Sequence, residues 1–277
     1  MEKPNQISGG ILQVNPAIGD ALAKGTIILI RRMHTEAKAE LQFLFKHPGY
    51  AMDGLVPDDV TDGDLPGRAR ILINQLMEKY QSVFSRWANV AVKKMMGQTM
   101  RNSAASLNLS LKEMGEQMTV RTDITNPRIL EIVKASSQEA ASLIKAIPEQ
   151  YLSKVGEETM RSISSGRGLA DLVPYLQKHY GQNIRKARNV ALDQSKKVFE
   201  KVNAERCKAV GIEEFEWIHS GGGRDPRKTH MGWNRKIFRY DDLPDAHDGF
   251  GPVIPGQAPF CNCKQRPIFR IKQSNDQ

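Results

Sequence analysis

Cysteine, aromatic residues and long apolar runs are all scarce in this sequence. Its 277 residues include three cysteines, too few for a secreted domain held together by disulfides. The longest apolar run, residues 26–30, is far shorter than the roughly 20 residues that a membrane-spanning helix needs. The N-terminal letters MEKPNQISGG show no basic segment followed by an apolar one, so we predict no signal peptide. We therefore expect a protein that folds in a reducing cytoplasm without membrane contact.

The composition favours a helical protein with an acidic partner. Hydrophobic residues make up 40% of the chain, which is enough for one large core or for two domains. Only 6% of residues are aromatic while 11 are methionine, so we expect an aliphatic, mostly helical interior. The net charge of +9 and the pI of about 9.4 favour a polyanionic partner, which could be DNA, RNA or an acidic protein surface.

The first half of the chain is predicted to be an arm followed by helices. Residues 1–18 contain Pro and Gly with little periodicity and are predicted to be a flexible arm. Residues 19–46 repeat apolar side chains near the helical period, and residues 47–67 are dense in Gly, Pro and Asp, which indicates a loop or linker. An amphipathic helix follows, with its apolar stripe at Leu72, Leu76, Tyr80, Val83, Trp87, Val90 and Ala91.

Capping residues predict the next helices. Asn126 followed by Pro127 is a typical helix start, and Pro148 is expected to end that helix. Residues 149–165 are predicted to be helical, and Gly181 is expected to close a short helix over residues 169–179. We expect Asn183 to cap a long helix that Gly211 terminates, with Cys207 as a small buried hydrophobe on it.

That last predicted helix is rich in cations. Such a run is usually a solvated face, and the alternative is a basic face that contacts DNA or the acidic surface of a partner protein. The candidate contact residues are Arg185, Lys186, Arg188, Lys196, Lys197, Lys201 and Arg206.

Short strands are predicted after Gly211. Residues 213–219 alternate, with Phe215 and Trp217 on one side, and residues 236–240 and 267–271 are further strand candidates. Residues 241–260 are rich in Gly, Pro and Asp and are expected to be loops. The predicted fold class is α+β, with a predominantly α-helical body and a small loop-rich α+β C-terminal domain.

An ordered set of segments in the second half resembles the phage Mu F-like head morphogenesis family. It runs from IPEQYLSKVGEETMRSISSG through the long helix NIRKARNVALDQSKKVFEKVNAERCKAVGI and the strand EEFEWIHS to DPRKTH, GWNRKIF, a PG loop and CNCKQRP. The resemblance implies a Mu F-like domain over residues 147–277, whereas the helical N-terminal region expected over residues 19–146 rests on hydrophobic periodicity alone. Within that domain we expect helices over residues 148–210 and an α+β cap over residues 211–271. The motif residues are Trp217, Asp225, Arg227, His230, Pro255, Gly256, Cys261 and Cys263.

Three motif residues have side chains that bind zinc. His230, Cys261 and Cys263 are the soft N and S donors that zinc prefers, with His219, Asp225 or His247 as a candidate fourth ligand. The alternative is a hydrogen-bonded structural His230 with two buried thiols, since one residue separates the two cysteines whereas structural zinc sites commonly space theirs by two to four. Asp225 and Arg227 are expected to form a local ion pair or cap beside His230.

The resemblance implies a structural rather than an enzymatic role. By resemblance we expect a minor capsid protein of a tailed bacteriophage that associates with the portal, the scaffold and the major capsid protein. It would remain in the virion, inside the head near double-stranded DNA, after assembly in the host cytoplasm. Two alternatives remain: a metal-dependent nuclease using Asp225, His230 and Asn234, and a generic basic DNA-binding protein. The nuclease would need an acidic cluster, and Asp241 to Asp248 fit turn chemistry better.

Overall fold

The structure, a computed structural model, describes residues 6–47, 65–115, 126–221 and 226–270. Helices predominate, and the strands form one four-stranded sheet, which confirms the predicted α+β class. No helix within these ranges is both long enough and apolar enough to span a bilayer. In chain order the elements are β1 (Gln6–Ser8), α1 (Pro16–Lys46), α2 (Leu65–Lys112), α3 (Pro127–Lys145), α4 (Ile147–Ser164), α5 (Leu169–Ala209), β2 (Glu214–Ile218), α6 (Lys228–Gly232), β3 (Ile237–Arg239) and β4 (Lys264–Arg270).

The chain divides into two compact units, each made of separate segments. One, which we call the sheet unit, contains residues 1–20, 93–138 and 191–277. The other, the helical unit, contains residues 21–92 and 139–190. These units do not coincide with the expected division at residue 147. Hydrophobic periodicity shows which face of a helix is buried but not which neighbour covers it. A helix such as α5, whose two halves belong to different units, is therefore assigned to a single domain from its sequence.

The sheet unit is organised around β4. The strand order is β1-β4-β2-β3, and every pairing is antiparallel. β2 pairs with β4 from Glu214 opposite Ile268 to Ile218 opposite Lys264. Trp217 and Phe215 of β2 lie at the centre of the core beneath the sheet, together with Phe199 of α5.

The N-terminal segment is not a loose arm in the described range, which begins at residue 6. β1 pairs with β4, with Ile7 opposite Phe269. The chain continues alongside β4, where the Leu12 amide donates to the Gln265 carbonyl at 3.0 Å and the Leu12 side chain is 0% exposed. Central strands need both edges paired, and residues 6–12 supply the second edge of β4. The predicted arm also contains the start of α1 at Pro16.

Two helix boundaries were predicted correctly. Asn126 caps α3, because its Oδ1 accepts a hydrogen bond from the Arg128 amide at 3.0 Å. Gly211 ends α5 with a left-handed φ of 78°, and the Ile212 amide donates to the Cys207 carbonyl at 2.9 Å. This is the pattern of a glycine-terminated helix. Pro148 lies in the first turn of α4 rather than at the end of α3, which already stops at Lys145.

Other boundaries were wrong. α5 is one continuous helix, whereas the sequence predicted a break at Gly181 and a cap at Asn183. The Asn183 amide group instead donates to the His179 carbonyl at 2.9 Å, one turn back along the same helix. Tertiary packing therefore outweighs the cost of about 1 kcal/mol that a helical glycine carries. The predicted linker at 47–67 lies mostly outside the described residues, and its last three residues begin α2.

The helical unit has an aromatic and histidine-containing core. The Tyr151 hydroxyl lies 2.8 Å from Nδ1 of His34, and the His34 ring stacks on Tyr180 with centroids 4.4 Å apart. Burial is the main cause that lowers the pKa of His34 below its ordinary value. A second close contact joins Gly25 of α1 to the indole of Trp87 of α2.

Candidate metal centre

His230 is held on a five-residue helix in the core of the sheet unit. α6 lies between β2 and β3 in the chain, and His230 is 2% exposed. The His230 ring stacks on Trp233, with centroids 5.2 Å apart, and meets the Trp217 ring edge-on at 4.9 Å. Two indoles therefore fix the orientation of this imidazole. Its Nε2 atom is buried without a hydrogen-bond partner among the described residues.

Cys261 and Cys263 face His230 together because they lie in the extended segment that leads into β4. Residues two apart in extended chain point to the same side. The two thiols are 4% and 3% exposed, while the intervening Asn262 faces solvent. The Cys261 Sγ lies 3.4 Å from Nδ1 of His230, and the Cys263 Sγ lies 3.9 Å from the same nitrogen. The structure thus brings together the three residues that the sequence suggested as ligands.

The two thiols perturb each other. A hydrogen bond from Cys263, together with one involving His230, lowers the pKa of Cys261 to about 4, although burial opposes this shift. The same interaction with Cys261, reinforced by burial, raises the pKa of Cys263 far above its ordinary value. The two thiols therefore titrate as a coupled pair, in which the first proton is released more readily and the second less readily than from an isolated cysteine. Thiolate is the form of cysteine that binds metals.

Two polar side chains of helix α5 form hydrogen bonds with the cysteine segment. The Lys196 ammonium donates to the Cys261 carbonyl at 3.2 Å and to Oδ1 of Asn262. The Asp193 carboxylate accepts the Phe260 amide at 2.8 Å. Phe260 adopts a left-handed φ of 57°, which is strained for a side chain of this size, and the Asp193 contact stabilises that turn. The position of Cys261 is thus fixed by polar contacts on both of its sides.

A buried polar network lies next to the thiols. The Gln265 amide group donates to Oε2 of Glu200 at 2.6 Å, and its oxygen accepts the Tyr240 hydroxyl at 2.6 Å. Burial raises the pKa of Glu200 to about 8. Gly256 approaches this network so closely that an added Cβ would lie 2.9 Å from Cγ of Glu200. This close approach explains why the PG loop requires glycine there.

Sequence reasoning missed these supporting residues. Asp193, Lys196 and Glu200 were read only as part of a charged helix or were not considered. A signal was available, because their spacing of three and four places them on one side of α5, within a segment whose apolar residues also face the core. A polar stripe on a buried helix face indicates a partner with matching polar groups.

The other described motif residues make packing and polar contacts that stabilise the fold around His230. Arg227 pairs with Asp248, with Nε 3.1 Å from Oδ2, and also donates to the Pro259 carbonyl at 3.1 Å. The expected partner Asp225 lies outside the described residues. Trp217 is fully buried beside His230, and Pro255 and Gly256 form the turn that faces Glu200.

The candidate fourth ligands do not join the group in the described part of the chain. Nδ1 of His219 accepts the Gly221 amide at 3.1 Å. The His247 side chain is 87% exposed and lies beside Asp245. Asp225, the third candidate, is not among the described residues. His230, Cys261 and Cys263, whose donor atoms all lie within 4.8 Å of one another, are the one such group of histidine, cysteine and acidic residues in the described ranges.

Asn234 of the nuclease alternative and two nearby aspartates make structural contacts. Oδ1 of Asn234 accepts the His219 amide at 2.9 Å, which joins the ends of the β2–β3 connection. Asp241 pairs with Arg239 at 2.8 Å, and Asp245 accepts the His247 amide at 2.7 Å. The interpretation of residues 241–248 as turn-forming carboxylates agrees with these contacts.

The seven candidate contact residues of α5 do not form one exposed face. Arg185, Lys186 and Arg188 are exposed and belong to the helical unit. In the sheet unit Lys196 supports Cys261, Lys197 pairs with Asp193 at 2.8 Å, and Lys201 is half-buried. Arg206 is 3% exposed and donates to the Met100 carbonyl at 3.4 Å. Of the candidate contact residues, Arg185, Lys186 and Arg188 are therefore the exposed ones, whereas those in the sheet unit are partly or fully buried.

Comparison with known proteins identifies the region that contains this centre. Residues 153–266 match the model of the family described as Phage Mu protein F like protein. An uncharacterized protein of Haemophilus influenzae is 31% identical over 144 residues, which are 52% of this chain and 31% of that protein. The chain thus spans about a third of the length of this relative. No solved structure matches the chain. The matched region contains His230, Cys261 and Cys263, and the resemblance predicted from the sequence motifs is confirmed.

Proposed function

Residues 153–266 form a Phage Mu F-like region, and from this we propose that the protein is a structural head morphogenesis protein of a tailed bacteriophage. The observation that carries the proposal is the family match itself, which covers most of α4, all of α5, β2, α6 and β3, and the first three residues of β4. The protein would be a minor component of the viral capsid. It would meet its partners in the host cytoplasm and remain in the virion.

The contacts of the sheet unit favour a structural role over catalysis. An enzyme must expose its reactive groups to substrate, whereas His230, Cys261 and Cys263 are all nearly inaccessible. Among the described residues, Asp241, Asp245 and Asp248 are used in ion pairs and turns, and Asn234 accepts a backbone amide. Within the described residues, no second cluster of metal-binding side chains accompanies this one.

The charge distribution suggests where polyanionic partners would bind. Arg185, Lys186 and Arg188 are exposed cations within two turns of α5, and the chain carries a net charge of +9. Lysine and arginine contacts to phosphates release counterions, and such binding is independent of sequence and falls with salt. We propose that this segment contacts packaged double-stranded DNA or an acidic surface of the portal, scaffold or major capsid protein.

The test is retention of the purified chain on the portal protein of the same phage at low and high salt. A portal-associated head protein is expected to be retained at both salt concentrations. Replacing Arg185, Lys186 and Arg188 by Glu should weaken binding to DNA or to the portal. The matched control replaces Lys93, Lys94 and Arg101 by Glu, which changes the charge equally at exposed residues of α2. Equal binding by the two triple variants would show that the α5 segment is not the contact.

A different result would favour the DNA-acting alternatives. Salt-sensitive DNA binding without portal retention would indicate a generic basic DNA-binding protein. Divalent-dependent strand cleavage that His230→Ala abolishes would indicate a nuclease. Either result would overturn the structural proposal.

A further inference from the structure

We propose that Nδ1 of His230 and the sulfurs of Cys261 and Cys263 bind one zinc ion that ties α6 to the segment before β4. The three donors come from two parts of the chain about thirty residues apart, and they converge inside the core of the sheet unit. The inference concerns metal content alone and does not depend on the proposed role in the phage head.

The spacing of the donors matches a zinc site. Zinc–sulfur bonds of about 2.3 Å and zinc–nitrogen bonds of about 2.0–2.1 Å, at tetrahedral angles, place nitrogen and sulfur ligands about 3.6 Å apart. The observed separations of 3.4 Å and 3.9 Å fall on either side of that value. All three donor atoms lie within 4.8 Å of one another. An ion could therefore enter with small side-chain adjustments and no backbone movement.

The charge of the assembled site suits its burial. Two thiolates neutralise the divalent ion, and a neutral imidazole adds no charge, so the metal with its three ligands is electrically neutral. A bare buried charge is very costly, whereas a charge compensated by direct ligands is tolerated. The donor types are also those that zinc prefers over magnesium or calcium, which bind oxygen.

The two segments that the ion would join contain little regular secondary structure. α6 has five residues, well below the length at which a helix is stable alone. Residues 241–263, which carry both cysteines, contain one isolated bridge between Asp245 and Pro252 and otherwise run as turns and loops. Small loop-rich regions commonly gain their stability from a metal. A zinc ion here would crosslink two such segments beside Trp217.

Within the described residues the site offers three protein ligands, which leaves the fourth tetrahedral position open to water. Neither His219 nor His247 lies with the group, and no other described histidine, cysteine, aspartate or glutamate does so. Structural zinc sites generally have four protein ligands. With three protein ligands among the described residues, a chelator should remove this metal more readily than the metal of a four-ligand site.

The experiment measures zinc in the full chain, purified without an affinity tag. Elemental analysis and native mass spectrometry should give about one zinc per chain, and Cys261→Ser and Cys263→Ser should lower this by at least about tenfold. Cys207→Ala is the matched control, because Cys207 is buried in the same core but is not in the cluster, and it should keep the metal. Equal zinc in all variants, or no zinc in the wild type after exposure to buffered zinc, would overturn the proposal.

A second measurement covers the case in which a serine variant fails to fold. In the wild-type chain, alkylation followed by peptide mass spectrometry reports the reactivity of each cysteine. Bound zinc should protect Cys261 and Cys263, and a chelator should expose both together while the reactivity of Cys207 stays the same. Recovery of Cys261 and Cys263 as a mutual disulfide, with no zinc, would refute the site. Failure to bind a portal would leave these readouts unchanged, so the two proposals fail separately.

Discussion

Adding one methyl group at Gly25 tests the packing of the helical unit. A Cβ built on Gly25 would lie 2.0 Å from Cζ2 and 2.2 Å from Cη2 of Trp87. Carbon atoms in contact are normally about 3.5–4.0 Å apart, so the indole would have to move. The indole is not free to do so without cost, because its Nε1 donates to the Thr26 hydroxyl at 3.1 Å. That hydroxyl in turn donates to the Leu22 carbonyl at 2.9 Å.

The expected change in unfolding free energy combines two opposing effects. Replacing a helical glycine by alanine stabilises the helix by about 0.5–1 kcal/mol, because alanine has less backbone freedom to lose. Overpacking typically costs about 1–3 kcal/mol, and loss of the indole hydrogen bond would add about 1 kcal/mol. We therefore expect Gly25→Ala to destabilise the chain by about 1–3 kcal/mol. The sign is opposite to that of an unhindered substitution.

Gly181→Ala provides the matched control. Gly181 also lies inside a helix of the helical unit, but the nearest atom to an added Cβ is Nη1 of Arg185 at 4.0 Å. Gly181→Ala should therefore stabilise the chain by about 0.5–1 kcal/mol. Denaturant unfolding followed by circular dichroism measures both changes. Stabilisation by Gly25→Ala equal to that by Gly181→Ala would refute the reasoning. In a Trp87→Leu background, Gly25→Ala should lose most of its cost.

Two further predictions concern the sheet unit. Because burial raises the pKa of Glu200 to about 8 from an ordinary 4.5, the folded chain retains a proton that the unfolded chain releases between those values. The stability contributed by this carboxyl is thus lost as pH rises from about 5 to 8, so Glu200→Gln should gain stability over the wild type across that window, by up to about 5 kcal/mol. A difference in unfolding free energy that stays constant from pH 5 to 9 would contradict this. Deleting residues 2–8 should leave one edge of β4 unpaired, with faster amide exchange in β4 and greater self-association by light scattering. Unchanged exchange in β4, with helices of the helical unit as the internal reference, would show that β1 does not protect it.

The sequence predicted the features that depend on local signals. The alternation of Phe215 and Trp217 correctly indicated β2, and Asn126 and Gly211 correctly marked helix ends. The grouping of the three candidate metal ligands was also foreseeable. The residue types were diagnostic, and the two-residue period of extended chain places Cys261 and Cys263 on one side. The resemblance to a known family supplied their association with His230.

Features that depend on distant partners could not be predicted. β1 has three residues, too few for their alternation to predict a strand, and it is a strand only because β4, more than 250 residues later, pairs with it. The continuity of α5 through Gly181 and Asn183 reflects packing that outweighs local helix-breaking tendencies. The burial of Lys197 and Arg206 likewise depends on which part of α5 the sheet unit covers. The number of charged residues along a helix does not show which of them are buried.

The strand order has a consequence for how the chain is made. β1 precedes its partner β4 by more than 250 residues, so it leaves the ribosome long before β4, and β4 also joins β1 to β2 and β3. In the nascent chain, Leu12, Phe215 and Trp217 therefore stay uncovered until residues 264–270 have left the ribosome. The segments of the helical unit are complete once residue 190 has been translated. Domains generally fold as units as they emerge. Folding is thus expected to be vectorial, with packing of the helical unit before closure of the sheet.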